Sequence, residues 1–195
     1  FEHRINDTWQ FNQNLRYSKL ELDNQIITAG GTAFSVAPDG TVDRGANIYD
    51  ENISHFAVDN NFQADFNTGA IGHTLLLGLD YLRVNTDYRW QFGGSYLYDN
   101  NWNIIRINVP PSNINNPRYG QDFSGVTYSD LQNYSQKRRN TGLYLQDQMA
   151  LDAWRLTLGG RWDRLDTDSV FHNANDAKDS RRDSQLSGNA ALSYV

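Results

Sequence analysis

The sequence predicts an all-β chain, an antiparallel meander of about seven long strands forming a segment of a transmembrane β-barrel with short periplasmic turns and long external loops. Three observations predict it. Apolar and polar residues alternate with a period of two, which gives strands with one apolar and one polar face. Aromatic residues recur at eight-residue intervals on the apolar face, from Trp9 to Tyr17 and from Trp154 to Trp162. At about 3.3 Å per residue and a tilt of about 40°, that interval rises roughly 20 Å, close to the apolar band between the aromatic girdles of an outer-membrane barrel. Finally, the connections alternate between short and long, as in such barrels.

Residues 1–4 read as the end of a strand, followed by a short turn at 5–7. The next strand places Trp9, Phe11, Leu15 and Tyr17 against Gln10, Asn12, Asn14 and Arg16, and after Lys19 the apolar positions change phase to Leu20 and Leu22. A change of phase inside the bilayer would turn polar groups to lipid, so Leu20 is expected above the membrane. A loop spans 24–45, rich in glycine and containing Pro38-Asp39-Gly40. The returning strand, 48–66, alternates Phe56, Val58, Phe62, Ala64 and Phe66 with Ala57, Asp59, Asn61, Gln63 and Asp65. After a turn at 67–72, Leu75, Leu77, Leu79 and Tyr81 oppose Thr74, Leu76, Gly78 and Asp80. The longest irregular segment is expected at 86–136, a length normal for the external side of a barrel.

The stretch 137–166 is the clearest hairpin. Thr141, Leu143, Leu145 and Met149 alternate with Asn140, Gly142, Tyr144, Gln146 and Gln148 before a turn at Asp152-Ala153. Beyond the turn, Trp154, Leu156, Leu158, Gly160 and Trp162 alternate with Arg155, Thr157, Gly159, Arg161 and Asp163. A third long loop is expected at 167–182, then a last strand with Leu186, Ala190, Leu192 and Tyr194 on its apolar face.

Composition narrows the function. The longest apolar run, 75–79, is far short of a membrane-spanning helix, and the mean hydropathy of −0.69 agrees. There is no cysteine, so disulfides and thiolate metal sites are excluded. A formal charge of −6 with no clustered basic face argues against nucleic acid. His3, His55, His73 and His172 have no zinc-like spacing, and 166–170 lacks the third oxygen ligand and the glycine of a calcium loop, which leaves a solvated acidic loop. No serine, histidine and acid combination supports an enzyme.

Four stretches resemble one family. The segments 140–148, NTGLYLQDQ, and 156–163, LTLGGRWD, resemble the paired strands of TonB-dependent siderophore receptors, while 52–81 and the opening FEHRINDTWQFNQNLRYSK resemble the ferrichrome-type branch. The resemblance implies a plugged, 22-stranded outer-membrane barrel that imports a ferric siderophore, hydroxamate or ferrichrome-like, with energy transmitted by TonB. It further implies that residues 1–195 are part of the barrel domain and that the plug domain, with its TonB-contacting segment, is absent from this chain. Iron would be carried by the siderophore and no cofactor held, and the receptor would act as a monomer with outer-membrane lipid around it. The segment 88–93, YRWQFG, resembles the start of the family's aromatic, ligand-touching loop.

The candidate ligand-binding residues are accordingly Tyr88, Trp90, Phe92, Tyr96 and Tyr98. Residues 88–136 hold ten of the chain's 25 aromatics and few charges, a composition suited to contact rather than to solubility. The competing reading is a soluble β-rich carbohydrate-binding or adhesion module with aromatic loops.

Overall fold

The computed structural model describes residues 1–30 and 36–195; residues 31–35, within the loop expected at 24–45, lie outside the described residues. The strands in chain order are β1 (Glu2–Arg4), β2 (Trp9–Ala29), β3 (Thr41–Val42), β4 (Arg44–Thr68), β5 (Ile71–Gly93), β6 (Tyr96–Tyr98), β7 (Ile104–Ile107), β8 (Ser112–Asn113), β9 (Ser129–Leu151), β10 (Trp154–Phe171) and β11 (Ala177–Tyr194). Seven of them form one antiparallel sheet in the order β1-β2-β4-β5-β9-β10-β11, a meander whose neighbours follow one another in sequence once the short loop strands are set aside.

Register fixes the faces. Phe62 pairs with Phe11 and Leu77, Leu79 with Leu143, Leu143 with Trp162, and Leu156 with Leu192, so the apolar positions of every strand share one face. On it Leu15, Leu77, Leu145, Leu158 and Leu192 are between 44% and 65% exposed, as a lipid-facing surface requires. Two polar pairs interrupt it, Gln13 with Asn60 at 2.6 Å and His73 Nδ1 with Asp147 Oδ2 at 2.8 Å, the latter leaving His73 Nε2 and Asp147 Oδ1 buried without a partner among the described residues. Arg161 and Trp162 lie on opposite faces, and Asn12, Gln63, Asp80 and Gln146 share the polar face with Arg161.

The short turns fall where the sequence places them. Asn6 Oδ1 accepts the backbone N–H groups of Thr8 and Trp9 at 2.9 and 2.8 Å, which closes the first turn. Gly69 takes φ 64° and Asp152 φ 49°, left-handed values that glycine and aspartate tolerate at tight reversals.

The strands are longer than expected on the other side. The connection expected at 24–45 is confined to 30–43, that at 86–136 to 94–128, and that at 167–182 to five residues, 172–176, built on a turn with Asn175 and Asp176 at φ 54° and 56°. Instead of a solvated acidic loop, 166–170 is strand, with Asp166 flanked by Arg164 and Arg182 and Asp168 bonded to Arg139 at 2.5 Å. Above the membrane no lipid enforces alternation, so polar residues paired across strands carry the ladder onward without an apolar signal.

Candidate functional site

The polar face within the membrane band is a connected network. Arg161 on β10 donates to Asp163 at 2.7 Å and reaches across β9 to Asp80 on β5, also at 2.7 Å. From β9, the Tyr144 hydroxyl donates across β5 to Asp59 on β4 at 2.8 Å, and the Arg161 guanidinium lies 5.7 Å from the Tyr144 ring centre. These crossings need strand positions with no side chain. Tyr144 lies over Gly78, Arg161 over Gly142, and Asn189 over Gly159. Gly142 of TGLYLQD and Gly159 of LTLGGRWD thus have a cause, since Gly78 and Gly142 let Tyr144 and Arg161 lie flat and bond one strand further on, and Gly159 leaves room for Asn189.

Above the band the two faces exchange character. The register of β2 with β4 is unbroken from Trp9 to Ala29, so the change of phase at Leu20 is no slip of the backbone. Leu20, Leu22 and Ile26 face the lumen together with Ile53, Tyr49, Val84, Tyr88, Trp90, Tyr134 and Phe171, and the outward positions become Lys19, Arg83, Arg139, Arg164 and Arg182.

The luminal aromatics meet across four strands. Tyr49 on β4 stacks on Trp90 on β5 with centroids 5.9 Å apart and planes 16° apart. Tyr88 approaches Tyr134 on β9 at 5.3 Å, and Tyr134 approaches Phe171 on β10 at 6.3 Å. The Trp90 indole N–H donates to Asn47 Oδ1 at 3.0 Å, and Asn47, 6% exposed, bonds Thr28. Burial, ahead of neighbouring Tyr49, Tyr134 and Glu51, pushes the Tyr88 phenol up from its usual value, so it stays neutral. Phe92, opposite Asn47, continues the wall to the rim, where a bulge at Trp90/Gln91 re-aims the pairing with β9.

Of the five expected site residues, then, Tyr88, Trp90 and Phe92 share the luminal wall. Tyr96 and Tyr98 stand apart on the β6–β7 hairpin. The Tyr96 hydroxyl donates to Asp43 at 2.9 Å, and that bond, with burial, holds the phenol protonated above its usual range. Tyr49, Tyr134 and Phe171 complete the wall; sequence reasoning missed Tyr49 and Phe171 and left Tyr134 in a loop, although parity continued from Asp59 along β4 reaches Tyr49.

The external connections are folded on one another. β3 pairs with β8, tying 30–43 to 94–128, and the Asn108 side chain bonds Gly94 O at 3.0 Å and both Thr127 O and N at 2.9 and 2.8 Å. Arg44 donates to Pro110 O at 2.7 Å and lies over Phe123 at 5.1 Å, and Val42, Ala46, Ser95 and Val109 are buried.

A lipid-facing band below and an aromatic luminal wall above define an outer-membrane β-barrel of the receptor type. The whole chain, residues 1–195, matches the family described as TonB dependent receptor-like, beta-barrel, and the protein belongs to that family, whose members are transporters without catalytic activity. The soluble carbohydrate-binding alternative falls with the membership. The chain is 31% identical to the ferrioxamine receptor of Yersinia enterocolitica, 33% to the ferrioxamine B receptor of Salmonella typhimurium and 32% to the ferrichrome outer membrane transporter/phage receptor of Escherichia coli, covering 100% of this chain in each case. It spans 25–27% of the length of these curated relatives. The unliganded ferric citrate transporter FecA superposes with a TM-score of 0.70 at 12% identity, over 100% of this chain and 24% of that one.

Proposed function

We propose that the complete receptor imports a ferric hydroxamate siderophore across the outer membrane, as a monomer energised by TonB through a plug domain outside these 195 residues. The observation that carries this reading is the charge of the luminal wall. Above the band, the luminal positions of β2, β4, β5, β9, β10 and β11 include Glu51, Arg138, Asp179 and Arg181 as charged residues and sum to zero, with no cluster of cations. Three hydroxamates offset the charge of iron(III), so the complex is neutral and can lie against Trp90, Tyr88 and Tyr49. A tris-catecholate carries three negative charges and would need a cluster of cations there. The similarity to receptors for ferrioxamine and ferrichrome supports the same choice.

In this reading Tyr88, Trp90 and Phe92 contact the ligand, with Tyr96 and Tyr98 above them at the rim. Replacing an aromatic anchor commonly costs about 2 kcal/mol, or roughly thirtyfold in affinity. Trp90→Ala or Phe92→Ala in the complete receptor is expected to weaken ferric hydroxamate binding by that factor while leaving barrel unfolding unchanged. Wild-type affinity in both variants would remove the pair from the site.

A further inference from the structure

Trp90 is fixed by two contacts. Its ring stacks on Tyr49 with the planes 16° apart, and its indole N–H donates to Asn47 Oδ1 at 3.0 Å. An indole nitrogen can only donate, so this bond orients the Asn47 amide, with the oxygen toward Trp90 and the nitrogen toward β2. There Asn47 Nδ2 donates to Thr28 Oγ1 at 3.4 Å, and the Thr28 hydroxyl gives its own proton to Gly45 O at 3.4 Å. The chain thus runs in one direction, from β5 through β4 to β2 and back to the β4 backbone. Asn47 lies opposite Phe92 on β5 and Ile26 on β2 and is buried, while Trp90 is half-buried. A buried amide between aromatic and aliphatic side chains is unfavourable unless both its ends are bonded, as they are here.

We propose that Asn47 is a positioning residue of the binding wall: without touching the ligand, it fixes the Trp90 ring in the orientation that receives it. This rests on the hydroxamate reading above. An aromatic side chain with rotamer freedom has to be ordered as the ligand arrives, whereas one already locked by its neighbours presents its surface at no further entropic cost. Stacking on Tyr49 leaves the indole able to slide and turn within its plane, because offset rings are attracted over a range of geometries. The hydrogen bond to Asn47 is directional and removes that freedom. Without its acceptor the half-buried indole N–H is left unsatisfied, and the ring turns to find water.

The test uses the complete receptor in detergent, its tryptophans labelled with the heavy nitrogen isotope in the indole ring, and a linear ferric tris-hydroxamate as probe. The Trp90 indole N–H resonance is assigned by its absence from Trp90→Phe. Asn47→Leu should move that resonance upfield and weaken probe binding about fivefold, the share that ordering one side chain contributes. In the Trp90→Phe background, which has no indole N–H, Asn47→Leu should weaken binding no further. Thr28→Val keeps the acceptor but frees the amide, so it should give a smaller shift and about a twofold loss, and it decides the matter if Asn47→Leu does not fold. An unmoved resonance in Asn47→Leu, a fivefold loss that persists in Trp90→Phe, or a Thr28→Val variant unchanged in both readouts would overturn the inference and leave the hydroxamate reading standing. A wild type that does not bind the probe would overturn both.

Discussion

Replacing Gly78 with alanine tests whether the polar network depends on the bare strand positions beneath it. An alanine Cβ would sit 2.6 Å from Tyr144 Cε1 and would overlap its Cζ and hydroxyl, so the ring has to leave. Two interactions go with it. The hydrogen bond to the Asp59 carboxylate is worth about 1.5–3 kcal/mol, and the contact with the Arg161 guanidinium about 0.5–1 kcal/mol. Alanine returns about 0.5–1 kcal/mol by stiffening the unfolded chain. The net expectation is a loss of about 2 kcal/mol. Gly160→Ala is the matched control, because a Cβ there meets nothing within 4 Å, and it should be neutral or slightly stabilising. Urea unfolding of the complete receptor in detergent micelles, followed by tryptophan fluorescence, reads both. In a Tyr144→Ala background Gly78→Ala should become harmless, which gives a coupling of about 2 kcal/mol in a double-mutant cycle. If Gly78→Ala matched Gly160→Ala, or if the cycle showed no coupling, the close approach would not be the reason for the glycine.

Arg161→Ala leaves Asp80 and Asp163 facing each other without their cation and should cost about 2–3 kcal/mol in the same assay, with Arg161→Lys recovering only part, because a single ammonium cannot reproduce the forked contact; full recovery by lysine would contradict this geometry. Arg89 holds the Asp130 carboxyl below its ordinary value of 3.8, so the pair's contribution is complete above that value and is lost as pH falls through the lower folded one. Both groups are partly open to water, which limits the effect to about 0.5 kcal/mol, and the difference between wild type and Asp130→Asn should vanish by pH 2; a difference persisting there would rule out the ion pair as its source. The 195-residue segment, with an exposed leucine face and open edges at β1 and β11, should aggregate when detergent is removed, and a monodisperse monomer in plain buffer would refute the lipid-facing assignment.

What the sequence disclosed depended on where lipid acts. Between Trp9 and Tyr17, and between Trp154 and Trp162, the bilayer forces one face of each strand to be apolar, and there faces and turns were legible residue by residue. Above Tyr17 that constraint ends. The segment 167–182 pairs Asp166 with Arg182 and Asp168 with Ser180 across an antiparallel ladder, which in one dimension is indistinguishable from a polar loop. The same boundary hid half of the aromatic wall. Tyr134 and Phe171 were assigned to loops, and with the strands ended early nothing showed that they share a face with Trp90. The phase change at Leu20 was visible, but its meaning was not, because a switch in which face is apolar and a slip in register leave the same trace.

That exchange of faces also has a mechanical consequence. Just above the band the outward positions are Arg83, Arg139, Arg164 and Arg182, and sliding the wall inward by two residues, about 5 Å, would draw them into hydrocarbon. At about 1 kcal/mol for each cation near the interface, the displacement costs about 4 kcal/mol, a restoring force on the order of 50 pN from these strands alone. A pull from the periplasm therefore acts on a frame anchored at its outer rim, and the work goes into whatever moves inside it.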